Sequence, residues 1–290
     1  MFDNIFAAIE KWMRELLTGM VESNMSTMFT DVNEKTSEIA AQVGRTPQNW
    51  NSSVFSMIQN LSESVVVPIA GIIITLVLCY ELISMLTERN NLHDVDTWMF
   101  FKYFVKAWVA IYLVSNTFTI TMAVFDVGQS VVNSASGIIN GETAIDVSSL
   151  SMQMQAAMAT MEIGELVVLA LEIFLVSFCM KIMSVVITVI VYGRMIEIYL
   201  YTSLAPIPFA TMSNREWGHV GTNYFRGLFA LAFQAFLMMV CVAIYAALIS
   251  SVRISSNMHS ALIGVAAYTV ILCFSLMKTG SLSKQIFGSH

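Results

Sequence analysis

Three ionisable side chains stand inside otherwise apolar runs of this 290-residue chain: Glu81, Glu172 and Lys181. A charge at the centre of a membrane helix costs about 2.5–3.5 kcal/mol on insertion scales, so such residues face a bundle interior or a cavity. Glu172 and Lys181 are nine residues apart, which turns a helix through about 900° and leaves them nearly opposite each other. They cannot pair together, and each needs a partner from another helix or subunit. One reading is a polar path through an oligomer. The other is snorkelling by Lys181 and an interhelical hydrogen bond by Glu172. Glu81 lies one to two turns from the end of its apolar run, where an anchoring role fits. Arg194 and Glu197, spaced i, i+3, read as interfacial anchors. Asn116 and Gln234 read as groups that hydrogen-bond across helices.

Catalytic chemistry has no visible carrier. The sequence holds no GxxxxGK[ST], HExxH or GxSxG motif, and His93, His219, His259 and His290 are far apart. Cys79, Cys179, Cys241 and Cys273 all lie in apolar runs, so they read as small core residues rather than a disulfide framework or a metal site. Met152, Met154, Met158 and Met161 have the softness for Cu(I), but methionine is an adaptable packing residue and 21 are scattered over the chain. Packing is the better account. No enzyme activity, cofactor, metal or stable small-molecule ligand is expected.

The elements that position these residues follow from composition. The chain is 57 % hydrophobic and 12 % charged, with mean hydropathy +0.71, whereas soluble domains are about 25 % charged. An all-α polytopic membrane protein is expected. The net charge of −6 leaves no basic stripe of the kind that grips a nucleic-acid backbone. A bilayer core of about 30 Å takes roughly 20 apolar residues in a helix. Windows of that kind occur at about 65–86, 104–125, 165–192, 227–252 and 260–277, in a membrane domain spanning 64–290. The run 163–212 would be roughly 75 Å long as one straight helix, more than a bilayer. It holds either two spans or one tilted span followed by a membrane segment, 195–212, broken by Pro206 and Pro208. Lys and Arg are absent from 107 to 180, which puts the 126–164 connection outside. Counting 163–212 as one crossing then puts Arg215 and Arg226 inside. Five spans with the N-terminus outside and the C-terminus cytoplasmic result.

Residues 2–20 place Phe2, Ile5, Phe6, Ile9, Trp12, Met13, Leu16, Leu17 and Met20 on one stripe, as in an amphipathic helix. Within an extracytoplasmic segment 1–63, this helix would lie in the outer interface, meet a partner, or fold as a hairpin onto 21–60. Residues 126–164 start loop-like, with Gly128, Gly137 and Gly141 among Ser and Asn. No basic n-region followed by an apolar block opens the chain, so no signal peptide is expected. Only one Pro-broken segment occurs, which weighs against an inverted-repeat transporter.

The stretch 199–238, YLYTSLAPIPFATMSNREWGHVGTNYFRGLFALAFQAFLM, carries a family resemblance. Its features are the run from Leu204 to Ala210, a polar loop with Arg215 and Glu216, then Tyr224, Arg226 and an apolar helix containing Gln234. It resembles the TrbL-type polytopic membrane subunit of conjugative type IV secretion systems, in the version carried by mobile elements of Gram-positive bacteria. The resemblance implies a structural or channel subunit in the bacterial cell membrane that forms a homo-oligomer and joins other secretion subunits. Separate ATPases would power it, and single-stranded DNA would pass transiently. Arg215, Glu216 and Arg226 would form a cytoplasmic docking loop. A solute transporter or ion channel subunit is the alternative.

Overall fold

The computed structural model describes residues 2–87, 97–139, 147–251 and 258–289; Arg89, His93, Gly141, Arg253 and His290 lie outside them. The described residues form helices joined by short turns: α1 (Phe2–Val43), α2 (Pro47–Trp50), α3 (Ser52–Leu61), a π-helical turn (Ser62–Val66), α4 (Val67–Thr87), α5 (Thr97–Ser115), α6 (Thr117–Ile139), α7 (Val147–Met158), α8 (Ile163–Ser203), α9 (Pro206–Thr211), α10 (Gly218–Ser250) and α11 (Met258–Phe287). Among the described residues, five helical stretches are long and apolar enough to cross a membrane: Ser52–Thr87, Thr97–Ser115, Ile163–Ser203, Gly218–Ser250 and Met258–Phe287. The chain is an all-α polytopic membrane protein.

Several elements differ from the sequence reading. The helix expected over 2–20 runs on to Val43. Its apolar stripe changes face midway: Ile9 and Met25 are about 160° apart around the axis at 100° per residue. Ile5, Ile9, Trp12 and Leu16 are exposed, while Val21, Met25, Met28, Val32, Ile39 and Val43 are buried. The glycine-bearing start of the 126–164 connection is helical too. Gly128 is there for close packing, since a Cβ on it would stand 2.9 Å from the Ala232 carbonyl oxygen. Pro68 falls in the interior of the continuous helix 52–87. Its ring would clash with the carbonyl four residues back, and the preceding turn widens to π geometry, with Val67 N–H donating to the Ser62 carbonyl.

The chain divides into two compact units, to which α6, α8, α10 and α11 each contribute a part. Unit 1 comprises Met1–Val43, Ser134–Val191 and Met238–Lys278. Its buried side chains include Met25 and Val32 of α1, Met154 and Met158 of α7, Leu166 and Ile173 of α8, Met238 of α10 and Val265 of α11. Here α1 runs parallel to α8: Arg14 Nη1 donates to the Met161 carbonyl at 2.8 Å, and Lys35 Nζ reaches Thr188 Oγ1 at 3.1 Å. Unit 2 comprises Gly44–Asn133, Tyr192–Leu237 and Thr279–His290. Its core has three apolar clusters, and α9 packs on both α4 and α5 in one of them.

Candidate functional site

In unit 2 the Pro-Ile-Pro run builds a short buried helix. α8 continues unbroken through 195–203, and the backbone turns only at Leu204 and Ala205. Pro206 opens α9, where its missing N–H would have had no helical partner and its fixed φ suits the turn. Pro206, Phe209 and Ala210 are buried, and Phe209 and Ala210 cluster with Ala70 and Ile74 of α4 and Ala110 and Val114 of α5. Hydroxyls occupy carbonyls around the break: Thr202 Oγ1 donates to Tyr199 O, Ser203 Oγ to Leu200 O and Thr211 Oγ1 to Pro208 O. α10 closes over α9 through Gly221, where a Cβ would stand 2.5 Å from the Pro208 carbonyl oxygen. Tyr201 and Tyr224 stack with centroids 4.4 Å apart, and each hydroxyl donates to the other residue's carbonyl, at 3.2 and 2.6 Å.

A polar layer joins α8, α10 and α11 in the same unit. Arg194, Glu197 and Tyr201 share one face of α8; Gly227, Ala230, Leu231 and Gln234 share one face of α10; Thr279 and Ser283 lie one turn apart on α11. Arg194 is only 7 % exposed. Its Nη2 donates to the Leu231 carbonyl at 3.4 Å, and its Nε has no partner. Gln234 Nε2 donates to Thr279 Oγ1 at 3.4 Å, and Ser283 Oγ donates to Ala230 O at 2.5 Å. Gly280 permits this approach, since a Cβ there would stand 3.3 Å from Gln234 Nε2. Glu197 does not pair with Arg194; it accepts from Lys284 at 3.0 Å.

The remaining sequence candidates of unit 2 fall at other places. Glu81 of α4 is paired with Lys106 of α5 at 2.5 Å. Asn116 does not reach across helices, because its amide donates to the Tyr112 carbonyl of the preceding turn at 2.9 Å. Arg215, Glu216 and Arg226 are exposed. Glu216 accepts from Tyr80 Oη at 3.1 Å, and Trp217 stacks on Tyr80. Asn214 Oδ1 accepts from the backbone N–H groups of Glu216 and Trp217, which fixes this loop at the entry to α10.

In unit 1, Glu172 and Lys181 lie on opposite flanks of α8, as their spacing requires. Glu172 is in hydrogen-bond contact with His259 of α11. Lys181 borders a cavity of about 280 Å³, lined also by Asp31, Lys35 and Thr36 of α1, Ser184 of α8, Tyr245 of α10 and Thr269 of α11. Met154 and Met158 are buried while Met152 is 67 % exposed, so the four methionines of this region do not converge. Among the described residues no group of three or more His, Cys, Asp or Glu gathers to hold a metal.

The partners Lys106, His259, Thr279, Ser283 and Lys284 were not singled out as site residues in the sequence. Thr279, Gly280 and Ser283 do carry a readable signal, small residues at close helical spacing that permit tight helix approach in membranes. His259 and Lys284 carry none, since each meets a carboxylate 87 residues away in the chain.

A profile of the family described as "TrbL/VirB6 plasmid conjugal transfer like protein" matches residues 32–206. No curated protein and no solved structure matches the chain. The matched stretch runs from the second half of α1 to the first residue of α9, more than half of the chain, and holds three of the five helical stretches able to cross a membrane. On that match the chain belongs to the TrbL/VirB6 family of plasmid conjugal transfer proteins.

Proposed function

We propose that the chain is a non-enzymatic structural subunit of the membrane complex of a conjugative type IV secretion apparatus, helping a DNA–protein substrate across the cell membrane. The family match over 32–206 carries this reading. The apolar helices suit a membrane-embedded scaffold, and the work of transfer falls to separate ATPases. The Lys and Arg distribution sets the N-terminus outside and the C-terminus in the cytoplasm. On that topology Arg215, Glu216 and Arg226 face cytoplasmic partners, with α9 holding their loop in place, and several copies assemble together with other secretion subunits.

A mating assay tests the reading on a deletion strain complemented with wild type or with Pro206→Ala plus Pro208→Ala. The double variant restores two N–H donors and lets α8 continue through Leu204 and Ala205, which displaces α9 from its seat on α4 and α5. Transfer is expected to fall with protein level near normal. Normal transfer by the deletion strain itself removes the secretion reading. Labelling of engineered cysteines near Ser134 and Ser281 tests the topology; label reaching both from outside would reverse the C-terminal assignment.

A further inference from the structure

The cavity in unit 1 opens between two unlike helix surfaces. Over residues 21–43, the exposed side chains of α1 are Ser, Thr, Asp, Glu and Ala alone, Thr27, Asp31, Glu34 and Glu38 among them. α8, packed beside it, exposes Phe178, Ile182, Val185 and Val189, each 45 % exposed or more. The first surface needs water and the second sheds it. Asp31 of α1 and Val185 of α8 both line the cavity of about 280 Å³, so its occupant meets a polar wall and an apolar one together.

The chemistry of the lining narrows that occupant. Lys181 and Asp31 share the cavity, yet among the described residues neither has an ion-pair or hydrogen-bond partner. Lys35 pairs with Glu38 and donates to Thr188 Oγ1 at 3.1 Å, which leaves its ammonium a further N–H to give. The hydroxyls of Tyr245 and Thr36 can only accept. Thr269 Oγ1 gives its proton to the Val265 carbonyl at 2.9 Å, so Tyr245 Oη must donate to Thr269 Oγ1, also at 2.9 Å. Thr36 Oγ1 gives its proton to the Val32 carbonyl at 2.8 Å. The lining thus offers ammonium N–H groups, a carboxylate and hydroxyl lone pairs, with one cation and one anion unmatched.

We propose that this cavity is a binding site for a phospholipid of the ethanolamine type. Its phosphodiester accepts from Lys181 and Lys35. Its primary ammonium donates to Asp31 and to the oxygens of Tyr245 and Thr36, which a trimethylated choline cannot do. Its acyl chains leave over Val185 onto the exposed side of α8. A zwitterion answers both unmatched charges, whereas a purely anionic headgroup leaves Asp31 alone. Basic pockets between membrane helices bind lipid phosphates by the same chemistry.

The test is a titration of the full chain, purified in mild detergent and stripped of lipid. It is followed by melting temperature, which a ligand of the native state raises, and by the mass of intact adducts. Short-chain phosphatidylethanolamine, phosphatidylcholine and phosphatidylglycerol are compared with soluble phosphoethanolamine. Half-maximal stabilisation by the ethanolamine lipid is expected at least about tenfold below the concentration the other lipids need, the scale of one charge-assisted hydrogen bond. Lys181→Met should weaken binding of the ethanolamine lipid by a similar factor, and Asp31→Asn should erase its preference over the choline lipid. Lys11→Met, on an exposed side chain of the first turns of α1, should change neither. Equal response to the three lipids overturns the proposal, as does unchanged binding by both cavity variants. Soluble phosphoethanolamine binding as tightly as the lipid overturns the lipid as occupant. The wild-type comparison decides the matter even where a variant does not fold.

Discussion

Both units of the molecule receive ionisable residues from α8, and they treat them differently. In unit 2, Arg194 is drawn into a tight layer where Gly227 and Gly280 bring neighbouring side chains close, and its guanidinium reaches a backbone carbonyl. In unit 1, Lys181 lies on the flank of α8 beside a cavity that also admits Asp31 and Lys35. The apolar character of α8 is the same in both stretches. What differs is the neighbour: in unit 2 small residues on α10 and α11 permit close approach, while in unit 1 Tyr245, Met180 and Leu272 line an open space beside the polar helix α1. Burial of a charge on a membrane helix is therefore decided by the residues opposite it, more than by the apolar run that carries it.

The sharpest way to break this contrast is to add a side chain at one helical glycine in each unit. Gly221→Val in unit 2 would press a side chain against the Pro208 carbonyl, which belongs to the backbone of α9 and cannot swing aside. A loss of about 1–3 kcal/mol or more is expected for such overpacking, read as a fall in melting temperature in detergent and in membrane-inserted protein. Gly264→Ala in unit 1 meets nothing within 4 Å, and the same measurement should show no loss. Equal losses at both sites would remove the distinction between the units.

The Lys106–Glu81 pair gives the next largest effect. Glu81→Lys sets two ammonium groups together where the carboxylate is 16 % exposed and the lysine 40 %. Because Lys106 is partly screened by solvent, the cost should stay near ~1–2 kcal/mol. Adding Lys106→Glu should restore most of it, by the logic of a double-mutant cycle. Failure of the reversed pair to recover the melting temperature would show that Glu81 matters through some contact other than Lys106.

Arg194→Met should do less to stability and more to function. A buried ion replaced by an apolar side chain of similar length is often neutral or stabilising, because the desolvation cost disappears. Arg194 has no carboxylate partner among the described residues, so little attraction is lost with it. The melting temperature should hold or rise while mating efficiency falls. A large drop in melting temperature would mean that the charge holds α8 to α10.

The count of spans was legible because about 20 apolar residues in a row have few other uses. The pairing of helices was not, because periodicity along one helix says which face is covered and never which helix covers it. Glu172 illustrates this: its need for a partner followed from hydrophobic context, yet nothing near position 259 marks His259 as that partner. The length of α1 was missed for a local reason, since its apolar stripe changes face near Met20 and a single-face pattern ends there. The family was legible from 199–238, although the profile matches 32–206 and shares only the first eight residues of that stretch. Residues 204–210 drew the resemblance because two prolines interrupt an apolar run, which is visible in any one sequence. The matched region has its signal spread over several ordinary-looking helices.

The smallest expected effect tests a polar residue whose partner differs from the sequence reading. Asn116 lies between α5 and α6, half-buried, with its amide turned back onto the Tyr112 carbonyl. The backbone bonds on both sides of it are intact, from Asn116 N–H to Tyr112 O and from Ile120 N–H to Asn116 O. The side chain therefore adds a second donor to a carbonyl already satisfied within the helix. Asn116→Ala should change stability by no more than about 0.5 kcal/mol, the range of substitutions that remove no contact to another element. Gln234→Ala is the matched comparison, because Gln234 is buried and its amide crosses to Thr279. Its loss removes an interhelical bond and leaves a gap in the polar layer, so it should cost more. If the two variants melt alike, side-chain amides contribute equally whether they cross between helices or fold back. The tight layer around Arg194 would then owe its stability to packing at Gly227 and Gly280 rather than to its hydrogen bonds.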